Sequence, residues 1–404
     1  MTINDLREDT RLDRLSSADI SEHVFTLYSE HKPPDLQNLG YFSRTLSLLP
    51  VELRVVPQLF VDAGRDANEK EEEGEVDGLT AEQKKRRRNR KVRGHNTTTT
   101  ADEVTLEYVL HQSLELFNSQ KENSTTGAVL WQVSPLFAEW VLTPGTPFHS
   151  LFRADESVQP RVIEIGAGVG GILACALSIP MFVASAVAEG NSQLQTRRSG
   201  GLYVATDQAH ILPFLRKNIA SNLPVTQEAV AHAMHSGSKP LPSFNSLTLP
   251  AAHPPPDAKS HAHTPHKHPK HKSTPPPDLD ASSKTIAHPS IEVLELDWEH
   301  ADADVRYIKD VLSVSEFDVV VACDTIYNDF LIAPFVRTLR LLASARTHVL
   351  VGMQMRAHEV VEAFLDEVME VGGFDVWVVR PEFLSEKMRD GFVIYYLRRA
   401  GDNS

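Results

Sequence analysis

The sequence predicts an α/β protein with a mostly parallel, doubly wound sheet. Outside a few polar segments, short apolar and β-branched runs alternate with helical patterns. The strand runs are almost continuously apolar, which is typical of parallel strands covered by helices on both faces. A glycine-rich turn at residues 166–171 follows one strand and leads directly into a helix. In such sheets, ligands bind outside the carboxyl ends of the strands, where the strand order reverses.

The predicted elements follow one another regularly along the chain. The strand before the glycine-rich turn is residues 161–165, and the turn continues as an apolar helix at residues 172–177. Later strands are predicted at residues 203–206, 291–296, 317–322, 347–353, 376–379 and 392–398. Helices are predicted at residues 211–222, 330–342 and 357–371.

Three segments lack the apolar residues needed to pack a core. Residues 66–100 pass from an acidic run to a basic run, residues 224–288 are rich in Pro and His, and residues 189–200 form a smaller loop. We therefore predict an N-terminal extension at residues 1–104 and one domain at residues 105–399, interrupted by a disordered insertion near residues 224–288. The basic run is interpreted as a solvated linker, with a nuclear localisation signal as the alternative.

Bulk composition excludes several classes of protein. The 404 residues include only two cysteines, Cys175 and Cys323, which excludes a disulfide framework or a cysteine-rich metal site. The N-terminus lacks the pattern of a signal peptide, and no apolar run is long enough to span a membrane. The net charge of −14 argues against a general nucleic-acid binder. We expect a soluble, cytoplasmic protein that acts as a monomer and contacts neither membrane nor nucleic acid directly; the basic run leaves a nuclear location open.

The glycine-rich turn carries the strongest functional signal. It reads Glu164-Ile-Gly166-Ala-Gly168-Val-Gly170, and glycines there let the backbone turn tightly and a ligand approach closely. Glu164 lies where it could meet the cationic methionine part of S-adenosylmethionine, whereas it would repel a pyrophosphate. Asp207 ends the next strand and could accept both ribose hydroxyls, as in nicotinamide enzymes. The pattern favours S-adenosylmethionine, and a purely structural turn is the alternative.

Two tryptophans and one more acid complete a predicted nucleoside pocket. Trp298 follows a strand and could flank the adenine, while Asp297 could reach the exocyclic amine. Trp131 precedes the first strand of the domain and could close the methionine side. Each tryptophan taken alone fits a core role better, and only their combination with the glycine turn favours the pocket.

Five motifs in this order resemble those of the methyltransferase-like protein 21 group of seven-strand lysine methyltransferases. They are Gly-Ala-Val-Leu-Trp131, Glu164-Ile-Gly-Ala-Gly-Val-Gly170, Ala205-Thr-Asp207, Leu296-Asp-Trp298 and Ala322-Cys-Asp-Thr-Ile-Tyr327. The resemblance implies a Rossmann-like class I methyltransferase with a C-terminal antiparallel strand. It also implies a cofactor site at Trp131, Gly166, Ala167, Gly168, Asp207, Trp298 and Ala322.

The last motif predicts where the methyl acceptor binds. The family has an acid-x-x-aromatic sequence there, matched by Asp324 and Tyr327. A carboxylate and a phenol can hold an amine by charge and hydrogen bonds, and the ring adds a cation–π surface. We therefore predict Asp324 and Tyr327 as the catalytic pair. The alternative is that Asp324 only caps the helix that starts near Asn328.

These observations predict an S-adenosylmethionine-dependent N-methyltransferase that acts on a protein lysine. The resemblance makes a ribosomal protein, or another translation or chaperone factor, the expected substrate. Three alternatives remain at this stage: a small-molecule methyltransferase, a non-catalytic module that only binds the cofactor, and a nicotinamide-dependent oxidoreductase. The intact glycine turn disfavours the second, and Glu164 disfavours the third.

Overall fold

A computed structural model describes residues 6–31, 40–56, 104–118, 126–153, 159–190, 201–235 and 289–400. The strands are β1 (Leu12–Leu15), β2 (Leu48–Val55), β3 (Val104–His111), β4 (Arg161–Ile165), β5 (Leu202–Asp207), β6 (Ser290–Glu295), β7 (Val319–Cys323), β8 (His348–Gln354), β9 (Phe374–Val379) and β10 (Phe392–Arg399). The α-helices are α1 (Ile20–Glu30), α2 (Leu114–Phe117), α3 (Val133–Leu142), α4 (His149–Phe152), α5 (Ile172–Leu177), α6 (Ile179–Gly190), α7 (Leu212–His235), α8 (Ala301–Leu312), α9 (Ile332–Leu342) and α10 (His358–Asp366).

The central sheet has the predicted doubly wound topology. Its eight strands lie in the order β6-β5-β4-β7-β8-β10-β9-β1. Strands β4 to β8 pair in parallel, and β10 lies antiparallel between β8 and β9. The chain places β5 and β6 on one side of β4, and β7 and β8 on the other. This reversal puts the ligand position of such sheets at the carboxyl ends of β4 and β7.

Both faces of the sheet are covered, as the continuous apolar strands predicted. Every residue of β7 is buried. Its side chains alternate between two cores: Val319 and Val321 pack into one, whereas Val320 and Ala322 pack into the other. Since successive side chains of a strand point to opposite faces, a strand buried on both sides must be apolar at every position.

The N-terminal region belongs to the fold, contrary to the predicted boundary at residue 104. Strand β1 pairs antiparallel with β9 along Leu12 to Leu15 and forms one edge of the sheet. Helix α1 packs its buried face into the core that also holds Phe364 of α10. Strand β2 pairs with β3 along its whole length as a separate hairpin.

Helix α7 corrects the predicted start of the Pro/His-rich insertion. It runs through Pro224 to residue 235, so the insertion does not begin at 224. Proline removes one helical hydrogen bond. The next turn is anchored by Thr226, whose hydroxyl lies 2.9 Å from the Tyr108 hydroxyl and 3.2 Å from the Cys175 carbonyl oxygen.

Asparagines of α7 join the hairpin to the main domain. The Asn218 amide accepts a hydrogen bond from the His111 N–H at 2.7 Å and donates to the carbonyls of His111 and Val169. Asn222 makes the equivalent pair of bonds with the backbone of Val109. The two side chains therefore act as a neighbouring strand would.

The predicted segment 66–100 lies outside the described residues, as do residues 191–200 of the predicted loop 189–200 and residues 236–288 of the predicted insertion 224–288. The predicted helix at 357–371 is observed as α10 followed by a π-helical turn at Glu367–Val371. In the described part of the chain, no helix has the length and apolar character required to span a membrane.

Candidate active site

A cleft lies at the carboxyl ends of β4 to β7, where the topology places the ligand. It is lined by Thr126, Gly127, Val129, Leu130, Trp131, Ser134, Gly166, Ala167, Gly168, Gly170, Asp207, Gln208, Leu296, Asp297, Trp298, Glu299, Cys323, Asp324, Thr325, Tyr327 and Leu331. Nine of the predicted site residues are among them: Trp131, Gly166, Ala167, Gly168, Asp207, Asp297, Trp298, Asp324 and Tyr327. The described lining residues include four acids and no lysine or arginine, so the cleft suits a cationic ligand.

The glycine turn forms the floor of this cleft. Gly166 and Gly168 have φ values of +71° and +61°, in the left-handed region that glycine enters without strain. A Cβ on Gly166 would lie 2.8 Å from the Thr325 methyl carbon and 3.4 Å from the Trp298 ring. Glycine is therefore required both by the backbone and by the narrow gap between these two side chains.

Asp207 lies beside the turn at the end of β5. Its carboxylate accepts the Gly168 N–H at 2.8 Å through one oxygen and the Gln208 N–H at 2.8 Å through the other. Burial raises the pKa of Asp207, although both backbone bonds act in the opposite direction. A carboxylate has about four lone-pair directions, so each oxygen can still accept one ribose hydroxyl.

The adenine side of the cleft is formed after β6. The Asp297 carboxylate accepts the Glu299 N–H at 3.0 Å and thereby caps the short 3₁₀-helix Trp298–His300. The Trp298 ring packs edge-on against Phe335, with 5.2 Å between ring centroids. Trp298 thus presents part of a fixed indole surface to the cleft.

Trp131 forms the opposite wall and is held from three sides. Its indole N–H donates to the Thr126 carbonyl at 2.8 Å. The Tyr41 ring meets it edge-on at 5.9 Å, and the guanidinium of Arg356 lies 4.8 Å from its ring centroid. The orientation of this wall is therefore set by the N-terminal region and by the chain after β8.

Two predicted site residues do not line the cleft. Glu164 is buried in β4, where its carboxyl accepts the Tyr203 hydroxyl at 2.9 Å. Burial raises its pKa to about 8, so at pH 7 it is mostly neutral and offers little charge to a sulfonium. Ala322 is fully buried in β7, and the following residue, Cys323, reaches the cleft instead.

Asp324 lines the cleft, and its carboxylate is already paired with an arginine. It lies in the left-handed region at φ +57°, and its carboxylate pairs with Arg356 through two bonds of 2.6 and 2.5 Å. The helix-cap alternative is wrong, because the Asn328 side chain accepts the Phe330 N–H and caps the next 3₁₀-helix. Tyr327 is 40% exposed at the mouth of the cleft.

Sequence reasoning missed Arg356, Thr325 and the segment around Gly40. Arg356 follows β8, and no local motif marks it as a partner of Asp324. A Cβ on Gly40 would collide with the Gln354 amide, and the Gly40 carbonyl accepts the Gln132 N–H at 2.8 Å. Only the three-dimensional pairing reveals these contacts.

The lining residues fit S-adenosylmethionine. The glycine turn leaves space at the backbone, Asp207 can accept the ribose hydroxyls, and Trp298 can flank the base. Thr325 in the wall of the cleft is 4% exposed, and its buried hydroxyl has no hydrogen-bond partner among the described residues. An unpaired buried hydroxyl costs free energy that a polar ligand group would recover. Fold and site together define a class I methyltransferase that uses S-adenosylmethionine.

Lysine methyltransferases are among the known proteins that this chain resembles. Residues 279–371 match the model of the lysine methyltransferase family. The ribosomal lysine N-methyltransferase 5 of Zygosaccharomyces rouxii is 29% identical over 313 residues, which cover 72% of this chain and 78% of that protein. The protein of the same name from Saccharomyces cerevisiae strain RM11-1a is 27% identical over 329 residues, covering 70% and 76%. The chain is thus similar to lysine methyltransferases over more than two thirds of its length, as its motifs predicted.

Among solved structures, the chain is similar to a fibrillarin pre-rRNA processing protein of Methanococcus jannaschii, with 10% identity and a TM-score of 0.32. The match covers 74% of this chain and 91% of that one. A likeness at this level carries no inference about function. Within the residues that the structure describes, no group of three or more His, Cys, Asp and Glu side chains could hold a metal ion.

Proposed function

We propose that this enzyme methylates the ε-amine of a lysine on a ribosomal protein. One observation carries the choice of an amine acceptor: Asp324 and Tyr327 line the same cleft as the glycine turn and Asp207. The ribosomal substrate is supported by the names of the relatives, with which the chain shares more than two thirds of its length. The net charge of −14 suits a basic protein partner.

The donor would be held along the floor and two walls of the cleft. Asp207 would accept the ribose hydroxyls, Trp298 would flank the adenine, and the backbone at Gly166 and Gly168 would approach the methionine part closely. When bound, the sulfonium supplies a methyl group and its sulfur keeps the electron pair of the broken bond. The methyl group of Thr325 lies next to Gly166 and would border the methionine part of the donor.

The acceptor end has to present a neutral amine in line with that methyl group. A lysine amine in water has a pKa of about 10.4 and is almost wholly protonated at pH 7. Desolvation between Tyr327 and Trp131 disfavours the charged form, and the lost proton passes to solvent at the open mouth. Alignment of nitrogen, carbon and sulfur can supply up to about 7 to 11 kcal/mol of the acceleration.

The surface at the mouth offers a place for a protein substrate. Phe330 is 88% exposed on the 3₁₀-helix Asp329–Leu331, which begins two residues after Tyr327. Leu331 of the same turn lines the cleft. An exposed aromatic side chain next to an active-site opening can pack against the segment that carries the target lysine.

A labelled-methyl assay tests the proposal. The purified enzyme is incubated with S-adenosylmethionine carrying a tritiated methyl group and with ribosomal proteins from a Saccharomyces cerevisiae strain that lacks the related enzyme. We expect one labelled protein band and methyl-lysine on hydrolysis. Asp324→Asn should retain cofactor affinity within about threefold and lose most turnover, because it removes a group that orients the acceptor. Unchanged turnover in Asp324→Asn would refute the acceptor assignment.

The alternatives predict different results in the same assay. A small-molecule methyltransferase would label only the fraction below about 1 kDa when cell extract is added, and a cofactor-binding scaffold would bind the donor without labelling anything. The cytoplasmic location and the monomeric state stay predictions. A fluorescent fusion and light scattering of the purified protein check them.

A further inference from the structure

Behind the wall of the cleft, Arg356 forms an ion pair with the Asp324 carboxylate through two hydrogen bonds. Nη1 donates to Oδ1 of Asp324 at 2.6 Å and Nη2 donates to Oδ2 at 2.5 Å. The side chain of Asp324 is 2% exposed and that of Arg356 is 22% exposed. The guanidinium is further fixed by the Trp131 ring and by the Gln354 amide oxygen at 3.1 Å. Arginine is suited to this position because its planar group can bond in two places and stack at once.

The pair changes the charge that an incoming lysine meets. A lone buried carboxylate would attract an ammonium ion and hold the lysine in its protonated, unreactive form. With Arg356 in place, the two charges compensate each other. Oδ1 of Asp324 also accepts the Gln354 N–H at 3.4 Å. Oδ2 keeps one lone-pair direction, which can accept an N–H from the amine.

Other titratable groups lie on the elements packed around the pair and along the same cleft. They are Cys323 and Tyr327 next to Asp324, Tyr28 on α1, His358 and Glu359 at the start of α10, and Glu164, Asp207, Asp297 and Glu299 at the ends of neighbouring strands. Burial raises the pKa of Tyr28 to about 12 and that of Cys323 well above its usual range, so both are neutral at pH 7. His358 and Glu359 are mostly exposed to solvent. The charge nearest to Asp324 is therefore that of Arg356.

We propose that Arg356 is a positioning residue that neutralises and orients Asp324, so that the cleft takes its lysine as the neutral amine. This inference rests on the proposed function and adds a residue that acts through Asp324. Removal of Arg356 leaves the Asp324 carboxylate without a compensating charge. The acceptor pocket then binds the protonated lysine more tightly and disfavours its neutral, reactive form. Lysine at position 356 keeps the charge, although it cannot bond in two places.

Binding of n-butylammonium, a mimic of the lysine side chain, tests the charge directly. It is titrated at pH 7 into the full chain saturated with S-adenosylhomocysteine, and Trp fluorescence reports binding. We expect Arg356→Gln to raise the affinity for n-butylammonium at least about tenfold over the wild-type protein. An opposite charge within about 4–6 Å shifts the pKa of a group by about one unit or more, which corresponds to a tenfold change in binding of the charged form. Arg356→Lys should stay close to wild type, and n-butanol, the neutral analogue, should bind all three proteins alike.

The double variant D324N/R356Q is the matched control. It removes both charges and should lose the gained ammonium affinity, with a thermal melt showing that it remains folded. An unchanged affinity in Arg356→Gln would overturn the inference. A gain that persists in the double variant would overturn it as well, because the ammonium would then bind elsewhere. A misfolded Arg356→Gln protein cannot imitate the expected result, which is a gain of binding.

The pH dependence of turnover gives a second readout. With ribosomal proteins as acceptor, we expect the acidic limb of kcat in Arg356→Gln to move upward by about one pH unit or more, because the lone carboxylate retains the proton on the bound lysine. Arg356→Lys should restore the wild-type limb. A parallel loss of kcat at every pH would indicate a merely structural role and overturn the inference. If the wild-type enzyme labels no ribosomal protein, the proposed function fails, whereas the ammonium titration still decides the role of Arg356.

Discussion

Glu164→Gln separates the structural role of this carboxyl from the cofactor role that the sequence suggested. In the fold the carboxyl is buried, its pKa is raised to about 8 from an ordinary 4.5, and it accepts the Tyr203 hydroxyl. Between these two pH values the folded protein keeps the proton that the unfolded chain has lost. Rising pH therefore favours unfolding over this window. The stability contributed by the protonated Glu164 is fully present below pH 4.5 and is lost as the pH rises to about 8.

The magnitude follows from the width of the window. Each pH unit is worth about 1.36 kcal/mol, so the three units between pH 5 and 8 amount to about 4 kcal/mol. Glutamine keeps an oxygen for Tyr203 but does not titrate. The unfolding free energy of Glu164→Gln should therefore rise relative to wild type by about 4 kcal/mol from pH 5 to 8.

Urea denaturation of both proteins at pH 5, 6, 7 and 8 measures this difference. The comparison is needed because other groups titrate too: burial lowers the pKa of His23 to about 4 and that of His348 to about 3, which makes stability rise with pH below about 6.5. Parallel curves for the two proteins would refute the reasoning. In addition, affinity for S-adenosylmethionine at pH 7 should change less than about threefold, whereas a direct contact between Glu164 and the sulfonium predicts a much larger loss.

Further variants test the cleft and its supports. Asp207→Ala should weaken S-adenosylmethionine binding by about 100-fold in isothermal titration, because two bonds to a charged acceptor are lost; an affinity near wild type would contradict the ribose assignment. Gly171→Ala should destabilise more than Gly373→Ala: both positions have φ near +60°, but a Cβ lies 2.5 Å from Ile219 at the first and meets nothing within 4 Å at the second. Gly373→Ala, the control, should lose only about 1–2 kcal/mol of unfolding free energy, from backbone strain alone. Asn218→Leu should cost about 2–4 kcal/mol, because it leaves buried backbone groups of the hairpin unpaired; loss of less than 1 kcal/mol would show that the hairpin docks without them.

The central sheet and most of the cleft could be predicted from local pattern. Strand β7 is apolar at every position, and the turn at Gly166 combines a backbone requirement with a place in the strand-to-helix order. Such signals are contained in a few consecutive residues. They specify the position of a residue along its element, which is why Asp207 and Trp298 were found together in the cleft.

Contacts between distant parts of the chain could not be predicted in this way. Glu164 lies two residues before Gly166 of the cleft, and its burial, which spacing along the chain does not reveal, decides its protonation. The ion pair between Asp324 and Arg356 joins the ends of β7 and β8. No local sequence motif identifies either residue as the partner of the other. Strand β2 was detectable in principle, since its residues alternate between exposed and buried from end to end. Its partner β3, however, begins 49 residues after β2 ends, and no local signal links the two strands.

Strand β1 has a consequence for how the protein is made. Leu12 pairs with Val379, so the outer strand has to wait for a partner that is 367 positions further along the chain. At about 5–20 residues per second on the ribosome, this wait lasts roughly 20 to 70 seconds. During synthesis β1 remains unpaired and available to chaperones. This edge of the sheet forms only when β9 and β10 have emerged from the ribosome.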